Sequence, residues 1–205
     1  MSLPEVSTGI KYVNMTDVHD PARREGPNLY SDPAERVEIA GETAEERERL
    51  IACVELLFFA YRDFTADPDV ILERYGFGRA HHRVLHFVYR NPGLRVADLL
   101  DILKITKQSL SRVLKHLVDQ EFIVQKAGKV DRRERLLYPT AKGARLTERL
   151  TELQVARIRA ALEAAGSGGD ETVRRFLFAM IGNEDKDRVQ ALARAHTGST
   201  IAEPT

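Results

Sequence analysis

Residues 94–143 read LRVADLLDILKITKQSLSRVLKHLVDQEFIVQKAGKVDRRERLLYPTAKG, and their periodicity changes twice. Two helical segments, about 96–103 and 106–120, follow each other with almost no connector. Thr106 is suited to cap the second, because its hydroxyl can accept an unpaired N–H of the first turn. Leu110, Val113, Leu114 and Leu117 mark the inward face of that helix. Its outward stripe is Lys107, Gln108, Ser111, Arg112 and Lys115, cationic or hydrogen-bonding throughout. FIVQK (122–126) and RLLYP (135–139) then read as short strands, with Pro139 confining the second to an edge or a strand end. The loop between them carries Lys129, Arg132 and Arg133, with Arg135 just beyond. No folding requirement gathers so many cations in so short a loop; a polyanionic partner does.

Working outward, a helix fits 78–90, and Asn91-Pro92-Gly93 stops it. Before it, Leu50, Val54, Leu57, Tyr61 and Phe64 repeat at helical spacing from Thr43, predicting an amphipathic helix that ends around Asp67-Pro68. On the other side, Thr140 caps a long helix to about Ala165, where GSGGD breaks the chain. A last helical region, 171–195, carries Val173, Phe176, Leu177, Met180 and Ile181 on one side, with the polar NEDKD (183–187) interrupting it. Residues 1–41, rich in turn formers and without a sustained period, read as an extended or disordered arm. Residues 196–205 read as a flexible tail. The fold class is therefore mainly α with a small β-wing: a winged helix-turn-helix over about 76–140, flanked at about 43–66 and 141–195 by helices whose apolar stripes suit dimerisation.

The formal charge is zero, with 31 basic and 31 acidic residues among 205. That balance hides a segregation. Residues 1–75 hold 8 Lys/Arg against 16 Asp/Glu, whereas residues 104–149 hold 12 against 5. The local field governs association with a polyanion, so the basic middle counts for more than the total. No apolar run is long enough to span a membrane. The first residues lack a secretion signal, and one cysteine, Cys53, excludes an intrachain disulfide. A cytoplasmic location is expected. The chain has no phosphate loop, no G-x-S-x-G elbow and no paired Cys/His metal spacing, which argues against an enzyme.

Short helix, tight turn, helix and basic hairpin is the winged helix-turn-helix layout, and residues 43–195 resemble the MarR family of bacterial transcription regulators. LRVADLLDILKITKQSLSRVLKHLVDQEFI (94–123) carries the resemblance, with Asp131-Arg132-Arg133 matching the family's Asp-x-Arg wing motif. RLLYPTAKG (135–143) is similar to its second wing strand and Thr-x-x-Gly helix start. GFGRAHHRVLHF (76–87) and TKQSLSR (106–112) are similar to the PetP-type branch. Two positions depart from the pattern: Lys104 stands where glycine is frequent in the turn, and Arg95-Val96-Ala97 stands where a Ser/Thr cap is usual.

The resemblance implies a homodimer acting on double-stranded DNA at a near-palindromic operator, with repressor and activator both open. Gln108, Ser111 and Arg112 are then expected at base edges, with Lys107 and Lys115 on phosphates. In the wing it implies Arg133 in the minor groove, Lys129 and Arg132 on phosphates, and Asp131 bracing an arginine. The reading from another class is a winged-helix protein-interaction module without specific DNA binding.

Smaller features have plainer explanations. Cys53 sits inside an apolar helix and reads as a buried structural thiol. His82 and His86 lie one helical turn apart but lack an obvious third ligand, so polar packing is the reading and no metal or cofactor is assigned. Tyr61, Phe64, His82 and His86 are the candidate pocket for a small-molecule effector.

Overall fold

The computed structural model describes residues 43–197. The expected arm at 1–41 and nearly all of the expected tail lie outside them. The order of elements is α1 (Ala44–Glu73), α2 (Arg79–Arg90), β1 (Leu94–Arg95), α3 (Val96–Leu103), α4 (Lys107–Asp119), β2 (Ile123–Ala127), β3 (Arg135–Pro139), α5 (Ala141–Ala165), α6 (Gly169–Ala179) and α7 (Asn183–Thr197). The protein is mainly helical, with one small antiparallel sheet ordered β1-β3-β2. None of the described helices is long and apolar enough to cross a membrane.

Helix α1 runs past the predicted stop. Pro68 lies inside it, although proline has no N–H for the carbonyl four residues back. Tertiary burial overrides that local cost, because Thr65, Pro68, Ile71 and Leu72 are all buried in the last turns. The Thr65 hydroxyl donates to the Tyr61 and Arg62 carbonyls just before the proline.

The core forms where the periodicities of α1 to α5 converge. Leu72, Val84, Val88, Leu99, Leu117, Leu137 and Leu150 are fully buried together. Burying each such side chain contributes roughly 1.5–3 kcal/mol before the entropy of ordering it is counted. Leu110, Val113, Leu114 and Leu117 all point inward from α4, as their spacing predicts.

Strand β3 is the central strand, between β1 and β2, and not an edge. Pro139 is tolerated because it terminates the strand, opposite Ile123 at the far end of the β2 ladder. The two-residue β1 was not anticipated: Leu94 and Arg95 pair with Leu137 and Leu136. A two-residue strand has no period to detect.

Thr140 joins the sheet to α5. Its hydroxyl accepts from the Gly143 N–H at 3.0 Å and donates to the Glu121 carbonyl at 2.7 Å. A Cβ at Gly143 would stand 2.0 Å from the Phe122 carbonyl oxygen. The helix start thus needs glycine for close backbone approach. NEDKD does not interrupt a helix; it forms the first turn of α7, and the break is at 180–182. Acidic residues are favoured at that N-terminus.

Cys53 is exposed, contrary to the sequence expectation. Leu50, Val54, Phe58, Phe59 and Tyr61 on α1 are exposed as well.

Candidate nucleic-acid interface

The helix-turn-helix is α3 and α4, and its turn takes an unusual form. Thr106 caps α4 as expected, accepting from the Ser109 N–H at 3.1 Å. Lys104, the residue in the usual glycine position, adopts the left-handed conformation with φ 51° and ψ 41°. An L-residue with a Cβ is strained there. The turn is nevertheless held: the Lys104 N–H donates to the Leu100 carbonyl, and Arg83 of α2 donates to the Leu103 carbonyl at 2.9 Å.

Arg95 is the N-cap residue of α3 and makes no side-chain cap bond. Its guanidinium instead grips the Asp98 carboxylate through Nη2 and Nε, at 2.6 and 2.7 Å, and reaches Glu134 in the wing through Nη1 at 3.3 Å. This hydrogen bonding lowers the Asp98 pKa and raises that of Arg95. One arginine therefore ties the start of the helix-turn-helix to the base of the wing.

On α4, Lys107, Gln108, Ser111, Arg112 and Lys115 are all exposed, on the face opposite the core. Lys115 is paired with Asp119 one turn on, so it must exchange that carboxylate to meet a phosphate. In the wing, Lys129, Arg132 and Arg133 are exposed. Asp131 does brace the loop, but through the backbone: its carboxylate accepts from the Arg133 main-chain N–H at 2.8 Å. Glu134 closes the loop, its carbonyl accepting from Gly128 and its N–H donating to the Asp131 carbonyl. A Cβ at Gly128 would lie 2.4 Å from the Asp131 carbonyl oxygen, so the turn admits only glycine there.

These pieces face one concavity of about 880 Å³. Lys107, Ser111 and Lys115 line it from α4, and Arg133 and Arg135 line it from the wing side. Gln108, Arg112, Lys129 and Arg132 lie outside its lining.

Sequence reasoning missed the contact that seats α4 on α2. His81 Nε2 and His116 Nδ1 are 3.0 Å apart, the Gly78 N–H donates to His81 Nδ1, and Phe77 stacks on the His81 ring. Burial first, and His116 second, lower the His81 pKa to about 4. The residues are 35 apart in sequence, beyond any local pattern.

His86 lines a cavity of about 410 Å³ between α2 and α7, with Arg90, Arg188 and His196. Tyr61, Phe64 and His82 do not line it; Tyr61 is exposed beneath the Arg79 guanidinium, and His82 is buried. Among the described residues, no three His, Cys, Asp or Glu side chains are grouped to hold a metal ion.

The MarR family model matches residues 75–134, which run from just past α1 to the end of the wing loop. The HTH-type transcriptional regulator PetP of Rhodobacter capsulatus is 49% identical over 134 residues, covering 65% of this chain and 81% of the relative. The chain belongs to the MarR family. Solved structures agree on the MarR fold. The transcriptional regulator SlyA superposes with a TM-score of 0.56 at 19% identity, over 67% of this chain and 98% of that one. The S. aureus MepR–DNA complex superposes with a TM-score of 0.52 at 19% identity, over 62% and 94%. This chain is a MarR-type transcription regulator with the winged-helix fold of those proteins.

Proposed function

We propose that this MarR-type regulator acts as a homodimer that binds double-stranded DNA at a near-palindromic operator. The observation that carries the reading is the shared groove: cations of α4 and of the wing face one concave surface. Gln108, Ser111 and Arg112 address base edges in the major groove, where glutamine suits adenine and arginine suits guanine. Lys107 and Lys115 hold phosphates, as do Lys129 and Arg132 in the wing. Arg133 enters the adjacent minor groove, where narrow A·T-rich segments concentrate negative potential.

The apolar side chains left exposed on α1, α5 and α6 support dimerisation. Leu56, Phe58, Ile158, Phe176 and Met180 are each about half exposed or more in the single chain. A patch of that kind on a soluble protein marks an interface. A two-fold dimer places two α4 helices about one DNA turn, roughly 34 Å, apart. A small-molecule effector would sit against His86 in the cavity between α2 and α7.

The test is retention of labelled fragments from the gene's own upstream region at several salt concentrations, against competitor DNA. Tight, salt-sensitive retention of one fragment is the expected result. Absence of retention even at low salt would instead favour a protein-interaction module.

A further inference from the structure

The C-terminal helix α7 reaches back to the helix-turn-helix through charged side chains. Lys104 Nζ lies 3.2 Å from Asp185 Oδ1, with Asp185 largely screened from solvent. Arg188, one turn further along α7, stands 3.7 Å from Asp101 and 3.9 Å from Asp185. Asp101 and Lys104 are themselves three residues apart at the end of α3. The four side chains alternate in sign as Asp101, Arg188, Asp185 and Lys104, two from each helix. They converge on Lys104, whose backbone is left-handed at φ 51°, a conformation that among the described non-glycine residues it shares with Glu121 alone.

We infer that Asp185 and Arg188 are positioning residues that clamp the left-handed turn of the helix-turn-helix and thereby fix the angle between α3 and α4. The clamp comes from α7, outside the 75–134 segment that carries the family pattern. An isolated exposed ion pair stabilises little. Here the pair acts on a turn that a glycine would adopt without strain, so a small free energy holds a conformation that lysine resists. Arg83, donating to the Leu103 carbonyl, fixes the same turn from the α2 side. The significance for operator reading rests on the function proposed above; the clamp itself does not.

The experiment is therefore free of DNA. Hydrogen exchange is followed at the amide of position 104, which donates to the Leu100 carbonyl, in the full chain and relative to its intrinsic rate. Four proteins are compared: the parent, Asp185→Ala, Lys104→Gly and the double variant. Asp185→Ala is expected to speed exchange about twofold to fivefold when residue 104 is lysine, and by less than about twofold when it is glycine. Arg188→Ala, which leaves the first turn of α7 intact, is expected to follow the same pattern more weakly. Equal acceleration in both backgrounds would overturn the inference, because Asp185 would then act elsewhere than on the strained turn. Unchanged exchange in Asp185→Ala would overturn it too. Failure of the parent chain to bind DNA in a separate titration, with this exchange pattern intact, would count against the proposed function and not against the clamp.

Discussion

The Asp131 carboxylate takes its 2.8 Å hydrogen bond from the Arg133 main-chain N–H, so the brace shapes the loop and leaves the guanidinium exposed. Asparagine keeps an acceptor at that place and alanine does not. Asp131→Asn is expected to bind DNA within about twofold of the parent, whereas Asp131→Ala loses about twofold to tenfold, the span of one net hydrogen bond. Fluorescence anisotropy on a labelled duplex reads both. Equal losses would mean that the carboxylate charge matters and the turn geometry does not.

Arg112 and Lys129 separate base reading from phosphate holding. Arg112→Ala is expected to cost roughly 1–3 kcal/mol on the cognate site and to relax one base preference. Lys129→Ala is expected to weaken all duplexes evenly and to flatten the salt slope by about one unit. Binding titrations on a set of single-base operator variants at three salt concentrations distinguish these patterns.

Gly143 tests the packing of α5 on the sheet. A Cβ there meets the Phe122 carbonyl oxygen at 2.0 Å, and backbone must move to admit it. Gly143→Ala is expected to destabilise the fold by about 1–3 kcal/mol, seen as a lowered urea midpoint. An unchanged midpoint would contradict the close approach.

His81 makes stability pH-dependent. Its pKa is about 4 in the folded chain against an ordinary value near 6.5, because burial and His116 disfavour the imidazolium. The unfolded chain binds the extra proton first, so the contribution is complete above about pH 6.5 and is lost as pH falls toward about 4. The urea midpoint of the parent should therefore drop between pH 7 and pH 5 by more than that of His81→Gln. Parallel drops would assign the acid limb to other groups.

Phe58 tests the dimer. It is 71% exposed on α1 in the single chain, in the middle of the apolar stripe. Phe58→Asp is expected to give monomers by sedimentation while leaving the helical circular dichroism in place. A parent chain that sediments as a monomer would remove the basis for two half-sites.

Much of this architecture is legible in residue order. Both faces of α4 follow from a 3.6-residue period, and Thr106 and Thr140 cap the helices their positions announce. Local signals fail where tertiary contacts outweigh them. Pro68 reads as a stop, yet burial of Ile71 and Leu72 carries α1 through it. Cys53 reads as buried because an apolar stripe looks the same whether its partner is the same chain or another. The wing was legible as charge, but its tether to Arg95 through Glu134 spans 39 residues, and the His81–His116 contact spans 35. Such pairs leave no period and no motif.

The proposed α4 face and wing bind DNA sequence-specifically. Purified full-length chain incubated with sheared genomic DNA of its source, washed at moderate salt and followed by sequencing of what is retained, tests this most directly. Strong enrichment is expected of a few fragments that share a near-palindromic motif with half-sites about one helical turn apart, with that enrichment lost in Arg112→Ala. Retention without a shared motif, or the same enrichment in Arg112→Ala, would contradict the proposal.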